Sequence, residues 1–237
     1  MRLTVFAVLL LVFRLGLAQG TQKFVLQADV LNRHYWRGFV FGNTPAIEPQ
    51  VAIHLNRFSF NIWAAHTLDD SYSEIDLIPA FNVGNYKLSL LEYYNPVNGT
   101  ENRFFDFSKE GNRHSGEVMV SYNGKGKIPF RWMAATFVYG DRHLDTGNHM
   151  FSTYIQAGFP FEFAGAEIEV SAGMTPWDSY YAPGLNMIHA GVSFTDRMET
   201  GEGSWVPLKF SLLANPARSE AWVIFSIGLA RERIRKL

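Results

Sequence analysis

The sequence predicts an all-β fold: a single closed antiparallel barrel of about twelve strands, built to cross a lipid bilayer. Three observations predict it. Apolar and polar residues alternate with a period of two in twelve stretches. Most stretches run about 9–11 residues, the length of a tilted transmembrane strand. The connections between them alternate between tight turns and long links, which is how membrane barrels arrange their two ends.

Taken in order, residues 1–18 read as a signal peptide. Arg2 supplies a basic start, residues 5–13 an unbroken apolar run, and Gly16-Leu17-Ala18 small residues before a cut at Gln19. Removing 18 residues from 237 leaves 219, enough for one domain, the barrel of residues 19–237. Strands are expected near 24–35, 46–55, 58–66, 73–83, 86–94, 115–123, 128–139, 149–160, 165–175, 187–196, 205–214 and 221–230. The last shows the pattern clearly: Val223, Phe225, Ile227 and Leu229 face one way, with Ser226, Gly228 and Ala230 opposite. In the ninth, Ile168, Val170 and Ala172 oppose Glu167, Glu169 and Ser171.

Short turns are expected at Asn56-Arg57, Gly84-Asn85 and Asn123-Gly124-Lys125-Gly126. Longer links lie between them, at residues 69–72, 95–114, 140–148 and 176–186. Pro49 and Pro79 fall inside predicted strands and remove ladder donors, which suggests bulges or strand ends near the rim and leaves ten strands open as an alternative. Residues 231–237 are strongly charged and are expected to project into the periplasm.

Composition narrows the class further. The formal charge of −1 becomes −3 once Arg2 and Arg14 are lost, which is too balanced for a nucleic-acid binder. With no cysteine, disulfide frameworks and zinc-thiolate sites are excluded. Aromatics, at 15%, cluster near strand ends. No cofactor motif is present, and Asp69, Asp70 and Glu74 form an acidic loop without the spacing of a calcium site.

The most distinctive string is Asp29-Val30-Leu31-Asn32-Arg33-His34-Tyr35-Trp36-Arg37-Gly38, followed by Pro45-Ala46-Ile47-Glu48-Pro49-Gln50. It resembles the start of the TorF-like family of outer-membrane porins. Tyr139-Gly140-Asp141, Ser152-Thr153-Tyr154, Gly158-Phe159-Pro160-Phe161 and Asn215-Pro216 look like its Bacteroidetes-type members. The resemblance implies a barrel in the bacterial outer membrane. Read physically, Tyr35 and Trp36 suit an aromatic girdle at headgroup level, with Arg37 aimed at lipopolysaccharide phosphates or into the barrel mouth and Gly38 bending the chain.

The expected pore lining comprises Asp29, Arg33, Arg37, Glu48, His54, Asp76, Lys87, Glu117, Glu167, Glu169, His189 and Lys209, joined by Gln27, Gln50, Asn61, Ser121 and Gln156. Mixed charge of this kind serves either a narrow passive pore for small solutes or an interior closed by its own ion pairs. Two further readings stay open. A non-conducting barrel could scaffold an envelope protein partner through Phe104, Phe105 and Phe107 or the basic tail. A lipid-modifying enzyme would draw on His114-Ser115, His143 with Asp141, or His149 with Ser152, and both Ser–His neighbours point apart on a strand. The Phe cluster of the 95–114 loop is expected either to fold inward over the mouth or to dock a partner. Expected partners are outer-membrane lipid and lipopolysaccharide, small solutes and that envelope protein, with no nucleic acid, cofactor or metal.

Overall fold

A computed structural model describes residues 21–97, 99–107, 113–124, 130–143 and 146–236. The predicted signal segment lies outside them, as do Lys125 and Gly126 of one turn and Lys109 and Glu110 of the long loop. The strands are β1(Thr21–Leu31), β2(His34–Trp36), β3(Phe39–Phe41), β4(Ala46–Leu55), β5(Phe58–Thr67), β6(Ser73–Val83), β7(Tyr86–Tyr94), β8(His114–Tyr122), β9(Arg131–Tyr139), β10(Thr153–Phe163), β11(Ala166–Thr175), β12(Asn186–Gly201), β13(Ser204–Asn215) and β14(Glu220–Lys236). A short 3-10 turn, η1(Pro216–Arg218), joins the last two.

Twelve of these strands close into one antiparallel barrel: β4 to β14 pair in sequence, and β1 closes the ring between β4 and β14. Closure leaves no unpaired edge, which is the condition a sheet must meet inside lipid. β2 and β3 form a separate two-stranded hairpin. The first strand therefore stops at Leu31 rather than near residue 35, because residues 34–36 pair with Phe39–Phe41 instead of the wall. β10 begins at Thr153, so His149 lies in the preceding loop, bridged to Arg142.

The last strand runs further than residue 230. Residues 231–236 are the end of β14 and pair with β1 as far as Thr21↔Lys236. Neither proline ends a strand. Pro49 and Pro79 sit mid-strand, paired with Ala28 and Phe60 on one side. On the other side the register runs unchanged from Ile47↔His66 to Gln50↔Trp63, and from Leu77↔Glu92 to Ala80↔Ser89. Each missing N–H costs a local lapse in the ladder without a bulge. The register shifts fall elsewhere, at Gly116/Glu117, Gly173/Met174 and Glu199/Gly201.

The outer face is apolar nearly all round. Leu26, Val51, Ile62, Leu88, Phe159, Val170, Val192, Phe210 and Ile227 all stand exposed on it. A soluble protein would not leave so continuous a belt uncovered, whereas lipid requires it. At the short-turn end Tyr86, Tyr122 and Trp132 pack on one another, with Tyr86–Tyr122 ring centroids 5.3 Å apart, as a girdle at headgroup level. Both ends of the described chain lie at this end, and the connections that follow β7 and β9 leave from the other. By the rule for such barrels, the short turns face the periplasm.

Candidate functional site: the plugged lumen

The hairpin β2–β3 occupies the barrel interior at the long-loop end. Its turn, Trp36-Arg37-Gly38-Phe39, has positive φ at both central residues, 47° at Arg37 and 91° at Gly38, as a two-residue hairpin of the I′ type demands. Gly38 is also required by space. A Cβ there would run into the backbone carbonyl of Ile188 on β12 and lie 3.2 Å from Asn215 Nδ2. Asn215 Nδ2 donates to the Gly38 carbonyl at 3.0 Å, tying the hairpin tip to the end of β13.

Arg37 is the anchor. Its guanidinium donates to Glu117 on β8 through two bonds, 2.6 and 2.8 Å, and to the Tyr181 hydroxyl at 2.7 Å. Tyr93 of β7 donates to the same carboxylate at 2.9 Å. Trp36 and Tyr154 stack on the cation, with centroids at 4.6 and 5.1 Å. Burial alone would favour the neutral guanidine; Tyr181, Tyr93 and Glu117 reverse that and hold Arg37 protonated. Gly173 leaves the room that the Tyr154 ring fills.

Around this pair lies a packed apolar cluster of Phe39, Tyr93, Phe137, Tyr154, Tyr181 and Ile188, with Trp36 and Phe41 against it. Arg218 of η1 covers the other side of the hairpin, 4.6 Å above the Phe39 ring. Tyr35 reaches the opposite wall, where its hydroxyl lies 2.7 Å from His189 Nδ1, and His189 Nε2 lies 2.9 Å from Ser171 Oγ. His34 Nδ1 bonds Glu48 at 2.8 Å, and its Nε2 lies 3.9 Å from Glu74. Glu74 accepts from Tyr72 at 2.8 Å and Asn95 at 3.3 Å. Tyr35 and Trp36 are thus not in the headgroup girdle, and Arg37 does not face lipopolysaccharide; all three are drawn into the lumen by buried partners.

The twelve residues expected to line a pore take these places. Asp29 and Glu48 are opposite each other on β1 and β4, and Gln27 donates to Asp29 at 2.6 Å. Asp76 is buried on β6, in register with Tyr93. Glu117, Arg37 and His189 belong to the hairpin contacts just described. Arg33 sits in the turn before β2. Towards the short-turn end, His54 is opposite Lys23, which pairs with Glu232, and Lys87 lies on β7. Arg131 clasps Glu167 at 2.7 and 2.6 Å and Glu169 at 3.0 Å. Lys209 stands exposed on the inner face of β13.

The interior therefore has two halves. Arg37 and Glu117 have side chains 7% and 0% exposed, whereas Arg131 and Glu167 retain 39% and 40% and Lys23 42%. The long-loop half is filled; the short-turn half is open to water. Between the hairpin and the long connections a cavity of about 370 Å³ remains, walled by Trp36, Phe41, Tyr72, Tyr93, Phe137 and Tyr180.

Other candidates do not converge on chemistry. His114 faces the outer wall, bonded through Nδ1 to Glu92 and through Nε2 to the Phe104 carbonyl at 2.8 Å, while Ser115 lines the cavity on the other face. Phe104 and Phe107 pack on His114, so the described part of this loop covers the outside of the wall rather than the mouth. Ser152 Oγ accepts from the Tyr180 amide at 2.6 Å. The Ser71 and Thr44 bonds to Asp69 hold its carboxyl well below the usual range, while Glu74 turns into the lumen. Among the described residues no group of three or more His, Asp or Glu is placed to hold a metal.

Closed pairing, an apolar belt, an aromatic girdle and a polar interior define a β-barrel of the bacterial outer membrane. No family model and no curated protein matches the sequence. Solved structures similar to the chain include the KdgM porin (TM-score 0.48, 4% identity, covering 88% of this chain and 98% of that one), the NanC porin (0.44, 10%, 87% and 98%) and an outer-membrane channel from Pseudomonas putida F1 (0.39, 11%, 91% and 96%). Likenesses this distant do not bear on the solute.

Proposed function

We propose that this barrel is a narrow passive channel for small solutes whose outer half is closed by the β2–β3 hairpin. One observation carries the reading: ionisable inward-facing side chains stay accessible to water in the short-turn half, and the closure above them is a separate hairpin rather than the wall itself. A lumen meant only to be filled has no use for Lys209, Arg131 and Lys23 in water. On this reading Asp29, Glu48, His54, Asp76, Lys87, Glu117, Glu167, Glu169, His189 and Lys209 line the path, Arg37 latches it, and Arg33 stands at its entrance.

The same reading takes residues 1–18 as an export signal, assigns the chain to the TorF-like porins, and gives it no catalytic role. Its surroundings are outer-membrane lipid and lipopolysaccharide. The exposed Phe105 and Phe107 favour a second role for the outer loop in meeting an envelope protein. Planar-bilayer recording tests the channel. Native protein is expected to give small, infrequent openings, and a variant with residues 32–45 replaced by a tight turn to give larger and steadier ones. Silence from the hairpin-less barrel, with its fold intact by circular dichroism, would sink the proposal.

A further inference from the structure

The cavity above the hairpin has a chemistry of its own. Its walls are six aromatic rings, and ring faces carry negative potential. Glu74 lines it, and Asp141 stands at its rim. Glu48 lies on the same inner surface beneath, bonded to His34. Arg37 is paired with Glu117, and Arg142, the basic lining residue among those described, donates to the Gly147 carbonyl at 2.7 Å but keeps its charge, so the described lining sets two carboxylates against one guanidinium. The protein already satisfies one cation in this way, since Arg37 sits over Trp36 and Tyr154.

We propose that this cavity binds a small organic cation, such as a quaternary ammonium or guanidinium compound, taken up from the long-loop side. Aromatic faces backed by carboxylates attract a weakly hydrated cation by its charge and its apolar surface together. An organic anion would meet Glu74 and Asp141 against Arg142 alone. A neutral sugar would make no use of the Glu74 charge, and both Glu74 oxygens already accept, from Tyr72 and Asn95. The volume falls at the small end of ligand pockets, roughly 300–1,000 Å³. Binding here does not require passage, because the site lies above the hairpin.

Isothermal titration of the full-length protein in detergent, with choline chloride as probe, tests this. Saturable choline binding is expected, weakened by raised salt, with no saturable signal from glucose or sodium benzoate. Tyr180→Ala removes a half-exposed ring and leaves the Arg37 clasp in place; it should weaken choline about fivefold or more. Glu74→Gln keeps the side chain's shape and should act in the same direction. Absence of choline binding by protein that retains its near-ultraviolet circular dichroism would overturn the proposal. So would equal binding of glucose or benzoate, or affinity unchanged in both variants. Bilayer silence leaves this site standing, and conductance without choline binding removes it.

Discussion

At the scale of single residues, Arg37 and Glu117 decide the interior. Removing one partner of a buried ion pair strands the other charge, at a cost of about 3–5 kcal/mol. Arg37→Ala is expected to lose that much in urea unfolding of the lipid-reconstituted protein. Pairing it with Glu117→Gln should recover a good part, because no uncompensated charge is left; a double-mutant cycle reads the difference. Gly38→Ala should destabilise by about 1–2 kcal/mol or more, because φ of 91° suits no side chain and the site touches Ile188. Circular dichroism melts compared with Val40→Ala, a neighbouring hairpin change at ordinary backbone geometry, would expose it. The sequence marked Arg37 and Gly38 as a conspicuous pair and Gly38 as a bend, but not what holds them in the lumen. Their partners Glu117, Tyr181 and Tyr93 lie 56–144 positions away, and no local pattern announces a contact at that range.

Elements were legible in proportion to how completely lipid dictates them. β4, β6 and β7 begin and end where alternation and turn residues put them, at 46–55, 73–83 and 86–94. The errors fall where something other than the bilayer acts. Residues 34–36 alternate like a wall strand, yet Trp36 packs against the lumen cluster and Tyr35 reaches His189 across the lumen, so the same pattern served a different surface. Pro49 and Pro79 suggested strand ends, but flanking pairs on both sides hold the register across each lapse. Pro207 repeats the arrangement, between Trp205↔Ala230 and Leu208↔Ile227. Pro79→Ala should therefore change stability by under about 1 kcal/mol, measured by urea titration; a large loss would mean the lapse itself shapes the wall.

At the scale of the whole molecule, alternation dictated the barrel and short-long turns its orientation, because a bilayer allows few other solutions. The lumen was less legible, since water and packed side chains both tolerate polar residues there. Phe194, Phe210 and Phe225 align across β12, β13 and β14 on the outer face. Phe210→Arg is expected to destabilise the bilayer-inserted barrel by about 2–4 kcal/mol if that row lies at the midplane. Lys209→Arg, one residue away but facing the lumen, should cost little, and equal losses at both positions would contradict the assigned faces.

The hairpin also has a history imposed by chain order. It follows β1 and precedes the eleven other strands of the wall that must surround it. Glu48 on β4 follows it at once, but its other partners arrive late: Glu117 on β8, then Tyr181, His189 and Asn215. Its grip is complete only once β8 and the strands after it stand in place around it. Weakening its grip on Glu117 is then expected to loosen the whole ring of strands that meets around it, β8 included.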